Sequence, residues 1–327
     1  MDNVIEIKDL SIQYATDEGI VKAVNHLNLQ LARGETLGLV GETGAGKTTT
    51  ALGIMGLIPD PPGVITGGEI LFEGTDLLKL SKQRLRAIRG NKISMIFQDP
   101  MTSLNPVVTV GDQIAESIRI HEKLSRADAA LKAKDMLELV GIPGDRYGEY
   151  PHQFSGGMKQ RVIIAIALSC NPEVILADEP TTALDVTIQA QVLDLISKLK
   201  KEKNTSMILI THDLGVVVEI CDKVAIMYAG EIVEYGSLEQ IYDQTAHPYT
   251  KGLFGSIPDI EAKTSRLKPI PGLMPDPSNL PEGCSFEPRC ERSCQRCKEE
   301  NPPLIEIGNG HFVKCHNYGK VSEGEDV

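Results

Sequence analysis

A glycine-rich motif near the start of the chain has the residue types and spacing of a phosphate-binding loop. Residues 41–48 read GETGAGKT and fit G-x-x-x-x-G-K-[ST] at every fixed position, between an apolar stretch and a helical one. The glycines let successive backbone N–H groups point at phosphate oxygens, and a helix N-terminus adds positive potential. Lys47 would then reach the β and γ phosphates, and the Thr48 hydroxyl would hold Mg²⁺. A glycine-rich turn that binds nothing is the alternative.

A second candidate site lies where an apolar stretch ends in two carboxylates. Residues 174–177 read VILA and are followed by Asp178 and Glu179. The first acidic residue after such a strand suits the coordination shell of Mg²⁺. The second is placed to polarise an attacking water as a general base. A strand followed by a solvated acidic turn would give the same local pattern.

A third motif combines a capping serine with two glycines. Residues 154–161 read FSGGMKQR, in which Ser155 can cap a helix while Gly156 and Gly157 leave its N–H groups open to an anion. An isolated SGG is more often a plain helix N-cap. This segment resembles the signature motif of the ATP-binding cassette (ABC) ATPases, usually written LSGGQ. Phe and Met replace the outer Leu and Gln here.

Further elements of that family follow in the expected order. Gln98 resembles the Q-loop glutamine, which would contact Mg²⁺ or water and link the site to a transmembrane partner. Residues 182–185 (TALD) resemble the D-loop, His212 resembles the switch histidine that senses the γ-phosphate, and Tyr14 stands where the family stacks an aromatic ring on adenine. Alone, Tyr14 would be an ordinary strand aromatic and His212 would mean little. The resemblance covers about residues 4–235.

The resemblance implies an ATPase that works as a nucleotide sandwich. Two subunits would dimerise head to tail with ATP between the phosphate cradle of one and the signature motif of the other. It implies that Glu179, His212 and Gln98 are catalytic, and that Thr48, Gln98 and Asp178 hold Mg²⁺. The implied nucleotide-binding residues are Tyr14, Gly41, Gly44, Ala45, Gly46, Lys47, Thr48, Thr49, Gln98, Asp178, Ser155, Gly156, Gly157 and Asp185.

A narrower resemblance extends nearly to the C-terminus. Residues 97–106 (FQDPMTSLNP), 247–250 (HPYT) and 271–290 are similar to the D-type ATPase subunits of dipeptide/oligopeptide importers. This implies an ATPase that powers import of di- and oligopeptides from the cytoplasmic face of the membrane. Its implied partners are a second, related ATPase subunit in a heterodimer, two transmembrane permease subunits and, indirectly, an extracytoplasmic solute-binding protein. Nickel and other small-solute importers share this branch, so the solute stays open.

Five of the seven cysteines lie in the last 44 residues, with the spacing C-x5-C-x3-C-x2-C-x17-C. The D-type subunits have cysteines that match Cys284, Cys290, Cys297 and Cys315, a pattern associated with a [4Fe–4S] cluster; Cys294 departs from it. Four thiolates could also close a structural zinc site, and free thiols or disulfides remain open, but gaps of five, six and seventeen residues between the family-matching cysteines favour a cluster modestly. A metal centre would supply folding energy to a segment with few periodic apolar residues.

Two histidines close to the C-terminal cysteines and the two remaining cysteines of the chain have simpler predicted roles. We expect His311 and His316 to be solvated rather than to serve as metal ligands. Cys170 and Cys221 lie in apolar stretches and are predicted to be buried core thiols.

The elements that must position these residues alternate along the chain. Apolar patterning predicts strands at residues 4–14, 20–31, 36–40, 92–97, 174–177 and 207–210. It predicts a helix over residues 48–57, broken by the Pro/Gly-rich residues 59–68, and helical structure from about 101 to 168 with Ile114, Ile118, Leu131 and Leu137 at helical spacings. Alternating strands and helices indicate a parallel α/β core.

The expected fold class is therefore α/β. The resemblance makes it a P-loop NTPase core of ABC type, with an antiparallel β subdomain, an α-helical subdomain at about residues 101–170, and a small Cys-rich, metal-binding C-terminal extension. The expected domains are residues 1–253, the nucleotide-binding domain, and 254–327, the peptide-importer-type extension. Six prolines between residues 257 and 283 indicate a non-regular connection.

Composition excludes several other classes of protein. A net charge of −12 argues against non-specific nucleic-acid binding, which needs a basic surface. The N-terminal residues lack the basic and apolar regions of a signal peptide, and no apolar run approaches the roughly 20 residues that span a bilayer. Two alternatives are a soluble ABC-type protein that acts on DNA or ribosomes and a structural protein with a dead nucleotide site. The acidic balance and the intact motifs argue against both.

Overall fold

The computed structural model describes residues 2–181, 186–256 and 270–318. Its strands are β1 (Asn3–Thr16), β2 (Gly19–Ala32), β3 (Thr36–Val40), β4 (Gly63–Phe72), β5 (Thr75–Asp76), β6 (Ile93–Ile96), β7 (Val174–Asp178), β8 (Ser206–Thr211), β9 (Lys223–Tyr228), β10 (Glu231–Ser237), β11 (Ile305–Gly308) and β12 (His311–Val313). Its helices are α1 (Lys47–Met55), α2 (Lys82–Ile88), α3 (Pro100–Ser103), α4 (Val110–Glu122), α5 (Arg126–Leu139), α6 (Gly156–Leu168), α7 (Val186–Lys203), α8 (Leu214–Ile220), α9 (Leu238–Asp243), α10 (Pro248–Gly255) and α11 (Gln295–Glu299).

The larger sheet has the strand order β11-β12-β10-β9-β3-β8-β7-β6. The strands β9, β3, β8, β7 and β6 pair in parallel, whereas β10, β12 and β11 are added in antiparallel pairs. Every residue of β3, β6, β7 and β8 is buried, which is typical of parallel strands covered on both faces. The predicted parallel α/β core is confirmed.

The smaller sheet is antiparallel, with the order β2-β1-β4-β5. Its apolar face packs over β3 and α1, so the two sheets share one hydrophobic core. The prediction that residues 59–68 break the preceding helix is confirmed, since α1 ends at Met55 and Gly56 caps it in the left-handed conformation (φ 58°). The chain then re-forms a strand at Gly63, which the Pro/Gly-rich pattern did not predict.

The predicted helical stretch is divided into separate helices by polar caps. The side chains of Thr109, Ser125 and Ser155 accept hydrogen bonds from backbone N–H groups in the first turns of α4, α5 and α6. Ile114, Ile118 and Leu137 are buried, as their helical spacing predicts. Leu131 is 62% exposed, so it belongs to the solvent face of α5.

The C-terminal region docks on the cassette and extends its sheet. The β11–β12 hairpin pairs with β10, and Val313 and Cys315 form a small core with Ala246. The expectation that His311 is solvated is wrong: it is 3% exposed, and its Nε2 lies 2.9 Å from Oε1 of the buried Glu234. Residues 270–283 form neither helix nor strand, as predicted, and the rest of that predicted connection lies outside the described residues. None of the described helices combines the length and apolar character needed to cross a bilayer.

Candidate functional site

The phosphate-type loop lies between β3 and α1. Gly46 adopts φ 102° as the N-terminal cap of α1, and a Cβ there would come within 2.3 Å of the Ala23 carbonyl oxygen. A Cβ at Gly41 would come within 2.2 Å of the Met227 carbonyl oxygen. Both positions therefore require glycine, for the left-handed backbone in one case and for close approach of β9 in the other. This close packing keeps the loop backbone tight around the start of α1.

The Lys47 side chain folds back into this loop. Its Nζ donates hydrogen bonds to the carbonyl oxygens of Gly41 (2.6 Å) and Glu42 (2.9 Å), and the residue is 6% exposed. Burial lowers the pKa of the ammonium, while the carboxylates of Glu179 and Asp178 act in the opposite direction. A cation held inside a ring of backbone groups is well placed to bind an anion that enters the loop.

A hydroxyl and a carboxylate meet beside Lys47. The Thr48 Oγ1 donates to Asp178 Oδ1 at 3.2 Å, which joins the first turn of α1 to the end of β7. Burial raises the pKa of Asp178, and the hydrogen bond from Thr48 opposes that shift. Because Mg²⁺ prefers hard oxygen ligands, a threonine hydroxyl beside a carboxylate fits this ion.

Three residues from three different strand ends converge on one another. Glu179 Oε2 accepts a hydrogen bond from Gln98 Nε2 (2.9 Å), and Glu179 Oε1 lies 2.9 Å from His212 Nδ1. Glu179 also adopts φ 44°, an uncommon left-handed conformation for a residue other than glycine, and its N–H donates to the Ile210 carbonyl. The three side chains follow β7, β6 and β8, whose carboxyl ends lie at one edge of the sheet.

These groups line one cavity of about 440 Å³, a volume within the range of small-molecule sites. The lining residues are Tyr14, Val21, Ala23, Thr43, Gly44, Gly46, Lys47, Thr48, Thr49, Gln98, Glu179, His212 and Pro277. Tyr14 therefore lines the same cavity as the phosphate-type loop. Gly41 and Ala45 belong to the loop but do not line the cavity. Asp178 does not line it either, but its carboxylate accepts a hydrogen bond from the lining residue Thr48.

The signature residues lie elsewhere on the molecule. Ser155 caps α6 and accepts a hydrogen bond from the Met158 N–H (3.4 Å). Ser155 and Gly156 are exposed, and a Cβ at Gly156 would meet no atom within 4 Å among the described residues. The signature residues do not line the Lys47 cavity described above. Asp185 and the rest of the predicted D-loop lie outside the described residues.

The four family-matching cysteines line one narrow cavity. Cys284, Cys290, Cys297 and Cys315 border it together with His247 and His316. Burial raises the pKa of the Cys284 thiol to about 12 and also raises the pKa of the other three. In the part of the chain that the structure describes, no group of three or more His, Cys, Asp or Glu side chains is arranged to hold a metal ion.

The fifth tail cysteine differs from these four. Cys294 is exposed, and its Sγ lies 3.2 Å from that of Cys297. The hydrogen bond between the two sulfurs lowers the pKa of Cys294. All seven cysteines are free thiols, and Cys170 and Cys221 are buried as predicted.

Several residues at the Lys47 cavity were not predicted from the sequence. Val21 and Ala23 line it from β2, and Pro277 lines it from the irregular C-terminal segment. The Glu42 carboxylate pairs with Arg289 (Oε2 to Nη1, 3.0 Å), which is 247 residues away in the chain. Arg289 precedes Cys290 in the stretch 271–290 that carries the narrower family resemblance. Nothing in that sequence pattern predicts that Arg289 contacts the phosphate-type loop.

Two family models match the chain. One, described as ABC transporter, covers residues 24–182, and the other, described as oligopeptide/dipeptide transporter, C-terminal region, covers residues 233–297. The oligopeptide transport ATP-binding protein OppD of Bacillus subtilis is 51% identical over 95% of this chain and 88% of its own length. The dipeptide transport ATP-binding protein DppD of the same organism is 48% identical over 96% and 95%. OppD of Escherichia coli is 47% identical over 96% and 93%.

Solved structures match the cassette part of the chain. The ATP-binding cassette MJ0796, in a dimeric post-hydrolysis state bound to ADP and Pi, superimposes with a TM-score of 0.65 at 28% identity over 72% of this chain and 98% of that chain. CbiO1 of Clostridium perfringens superimposes with a TM-score of 0.63 at 26% identity over 75% of this chain and 92% of that chain.

Proposed function

The chain belongs to the ABC transporter family, in its oligopeptide/dipeptide branch, and we propose that it is the ATP-binding subunit whose ATP hydrolysis powers import of di- and oligopeptides. The observation that carries this proposal is the convergence of Gln98, Glu179 and His212 on the cavity that contains Lys47 and Thr48. Backbone donors, one ammonium and a carboxylate base in one cavity are the groups that phosphoryl transfer to water requires.

Each side chain has a role that follows from its position. Lys47 and the loop N–H groups would bind the β and γ phosphates, and Tyr14 would stack on the adenine. Thr48, Asp178 and Gln98 would hold Mg²⁺, which neutralises charge on the phosphate oxygens when it is bound. Glu179 would accept a proton from the attacking water, and His212, 2.9 Å from Glu179, would orient that carboxylate and sense the γ-phosphate.

The position of the signature motif supports a second ATPase subunit as partner. The N-terminus of α6, with Ser155, Gly156 and Gly157, does not line the chain's own cavity, and a helix N-terminus can bind the phosphates of ATP held by another cassette. We propose a heterodimer with a related ATPase subunit, and we keep Asp185, which lies outside the described residues, as a predicted nucleotide-binding residue. The assembly would bind two permease subunits at the cytoplasmic face of the membrane and respond indirectly to a solute-binding protein.

For the C-terminal region we propose a [4Fe–4S] cluster held by Cys284, Cys290, Cys297 and Cys315. In support, these four thiols share one cavity while Cys294 is exposed, so the burial pattern separates the family-matching cysteines from the extra one. A bound cluster would cross-link the irregular segment, β12 and α11. Zinc is the alternative for the same thiolates. We also propose that the nucleotide-binding domain ends at residue 253 and the C-terminal extension begins at residue 254, because residues 270–283, which follow α10 in the described part of the chain, form neither helix nor strand.

The proposed function is tested with the assembled transporter. The chain is co-purified with its related ATPase and permease subunits, and phosphate release is measured with its solute-binding protein and either a set of di- and oligopeptides or Ni²⁺. Stimulation by peptides is expected. Stimulation by Ni²⁺ alone would identify the chain as a subunit of a nickel importer. Failure of the chain to co-purify with any membrane subunit would overturn the transport role.

A further inference from the structure

We infer that the C-terminal region completes the nucleotide site, with Arg289 as a positioning residue that neutralises and fixes Glu42 of the phosphate loop. This inference rests on the proposed ATP site and adds to it a part of the chain that the cassette motifs do not include. Three observations carry it: the surroundings of Glu42, the burial of Arg289, and the packing of Pro277 and Met274 against the cavity and its loop.

Glu42 is an anionic side chain in a loop that must accept a polyanion. Its carbonyl oxygen accepts a hydrogen bond from Lys47 Nζ, so the backbone of Glu42 is part of the pocket that holds the ammonium. Its own carboxylate would repel a triphosphate unless a cation compensated it. The compensating cation is Arg289, whose Nη1 lies 3.0 Å from Glu42 Oε2.

Arg289 is held in place by more than this ion pair. Its side chain is 6% exposed, its Nε donates to the Pro271 carbonyl (2.8 Å), and its Nη1 lies 3.4 Å from the Tyr228 hydroxyl. The guanidinium also lies over the Tyr228 ring, 5.8 Å from the centroid. A buried guanidinium with fixed partners is a preorganised cation, so its charge stays beside Glu42 without a large loss of side-chain entropy.

A second buried residue fixes the backbone of the same loop position. The N–H of Glu42 donates to the hydroxyl of Tyr249, which is fully buried in α10. Backbone and side chain of Glu42 are thus both bound by residues that lie beyond the cassette motifs. Since Lys47 is bonded to the carbonyl of this residue, a shift of Glu42 would also move the ammonium.

The irregular segment before Arg289 forms part of the cavity wall. Pro277 lines the cavity, and its carbonyl accepts a hydrogen bond from the Lys22 N–H (2.9 Å), which ties the segment to β2. The methyl group of Met274 lies 3.0 Å from the position that a Cβ at Gly44 would occupy. The segment is therefore packed on the phosphate loop itself and is not a free tail.

The test is a double-mutant cycle on ATP affinity with the full-length chain, measured by calorimetry in the presence of Mg²⁺. Arg289→Ala leaves the Glu42 carboxylate uncompensated and is expected to raise the Kd for ATP about ten-fold. Adding Glu42→Gln removes that charge and is expected to restore most of the lost affinity. Arg296→Ala, which removes an arginine of the same region from an exposed ion pair with Glu300, is the matched control and should leave the Kd unchanged.

Each outcome decides the inference. An unchanged Kd for ATP in Arg289→Ala overturns the inference. A loss of ATP affinity that Glu42→Gln fails to rescue also overturns it, because Arg289 would then have a purely structural role that is independent of the charge of Glu42. If Arg289→Ala does not fold, Glu42→Gln alone decides: equal or tighter ATP binding supports the inference, and weaker binding overturns it. Wild-type protein and Lys47→Ala separate this inference from the proposed function. Wild-type protein that binds no ATP, or Lys47→Ala protein that binds ATP as the wild type does, would overturn the ATP site itself.

Discussion

At the residue scale, the main result is that side chains far apart in sequence meet around Glu179. Gln98 and His212 lie 81 and 33 residues from it, yet both are within 2.9 Å of its carboxylate. This meeting could be predicted, because each residue follows an apolar stretch and parallel strands bring their carboxyl ends to one edge. The pairing of Arg289 with Glu42 could not, since an irregular segment has no periodicity that fixes where its side chains go.

The cysteines give a residue-scale prediction with an internal control. If the four thiols that share the narrow cavity hold an iron–sulfur cluster, Cys297→Ser will lose most of the iron, the acid-labile sulfide and the visible absorbance of anaerobically purified protein. Cys294→Ser will keep all three, because Cys294 is exposed and outside the shared cavity. A colourless wild-type protein that contains zinc would contradict the cluster and support the alternative.

At the element scale, the buried parallel strands were predicted well and the irregularly patterned ones were not. The predicted strand 36–40 coincides with β3, and 174–177 and 207–210 each lie inside a strand of the structure. Continuous apolar runs bounded by turns are typical of such strands. The strand Gly63–Phe72 was missed because its first half lies in a Pro/Gly-rich segment, and several of its residues are exposed.

The helical region shows a second limit of periodicity. Apolar spacing predicted helix from about 101 to 168, and the structure divides this stretch at capped N-termini and short loops. Thr109 and Ser125 are each followed three residues later by an aspartate, a local pattern that marks helix starts and could have placed these boundaries. Hydrophobic periodicity gives the type of an element, whereas its ends depend on capping side chains.

The loop between β3 and α1 gives a prediction at this scale. Gly46→Ala places a Cβ 2.3 Å from the Ala23 carbonyl in a left-handed backbone, and it should destabilise the fold by about 1–3 kcal/mol and abolish ATP binding. Gly74→Ala is the matched control, because Gly74 has φ 76° with no atom within 4 Å of the added Cβ among the described residues. Denaturant unfolding and calorimetry would test both. Equal losses in the two variants would show that the strained backbone, and not the contact with β2, sets the requirement.

At the scale of the whole molecule, the proposed ATP-binding cavity and the signature-like motif lie at different places in the chain. The Lys47 cavity and the signature motif at the start of α6 are separate in this chain, which fits a head-to-tail pair. The C-terminal region is part of the same body, since it extends the sheet through β12 and lines the Lys47 cavity through Pro277. The acidic net charge is compatible with this site because Lys47 and backbone N–H groups create positive potential locally, while Arg289 neutralises Glu42.

Gly156 gives the prediction that belongs to this scale. Its neighbourhood is open among the described residues, so Gly156→Asp should leave the unfolding free energy and the ATP affinity of the isolated chain nearly unchanged. The added carboxylate would repel the phosphates of ATP on the partner cassette, so ATP-dependent pairing with the related subunit should be lost. Sizing by light scattering with and without ATP would measure this. Normal pairing in the variant would place the interface elsewhere.

The central claim is that this chain hydrolyses ATP with Glu179 as the base. The most direct measurement is phosphate release by the assembled, peptide-stimulated transporter that carries Glu179→Gln in this subunit and an inactive site in the related subunit, compared with native Glu179 in the same background. The variant should bind ATP with native affinity and hydrolyse it about 10²–10⁴-fold more slowly, the range expected for loss of a general base. Full turnover with Gln at position 179 would contradict the account.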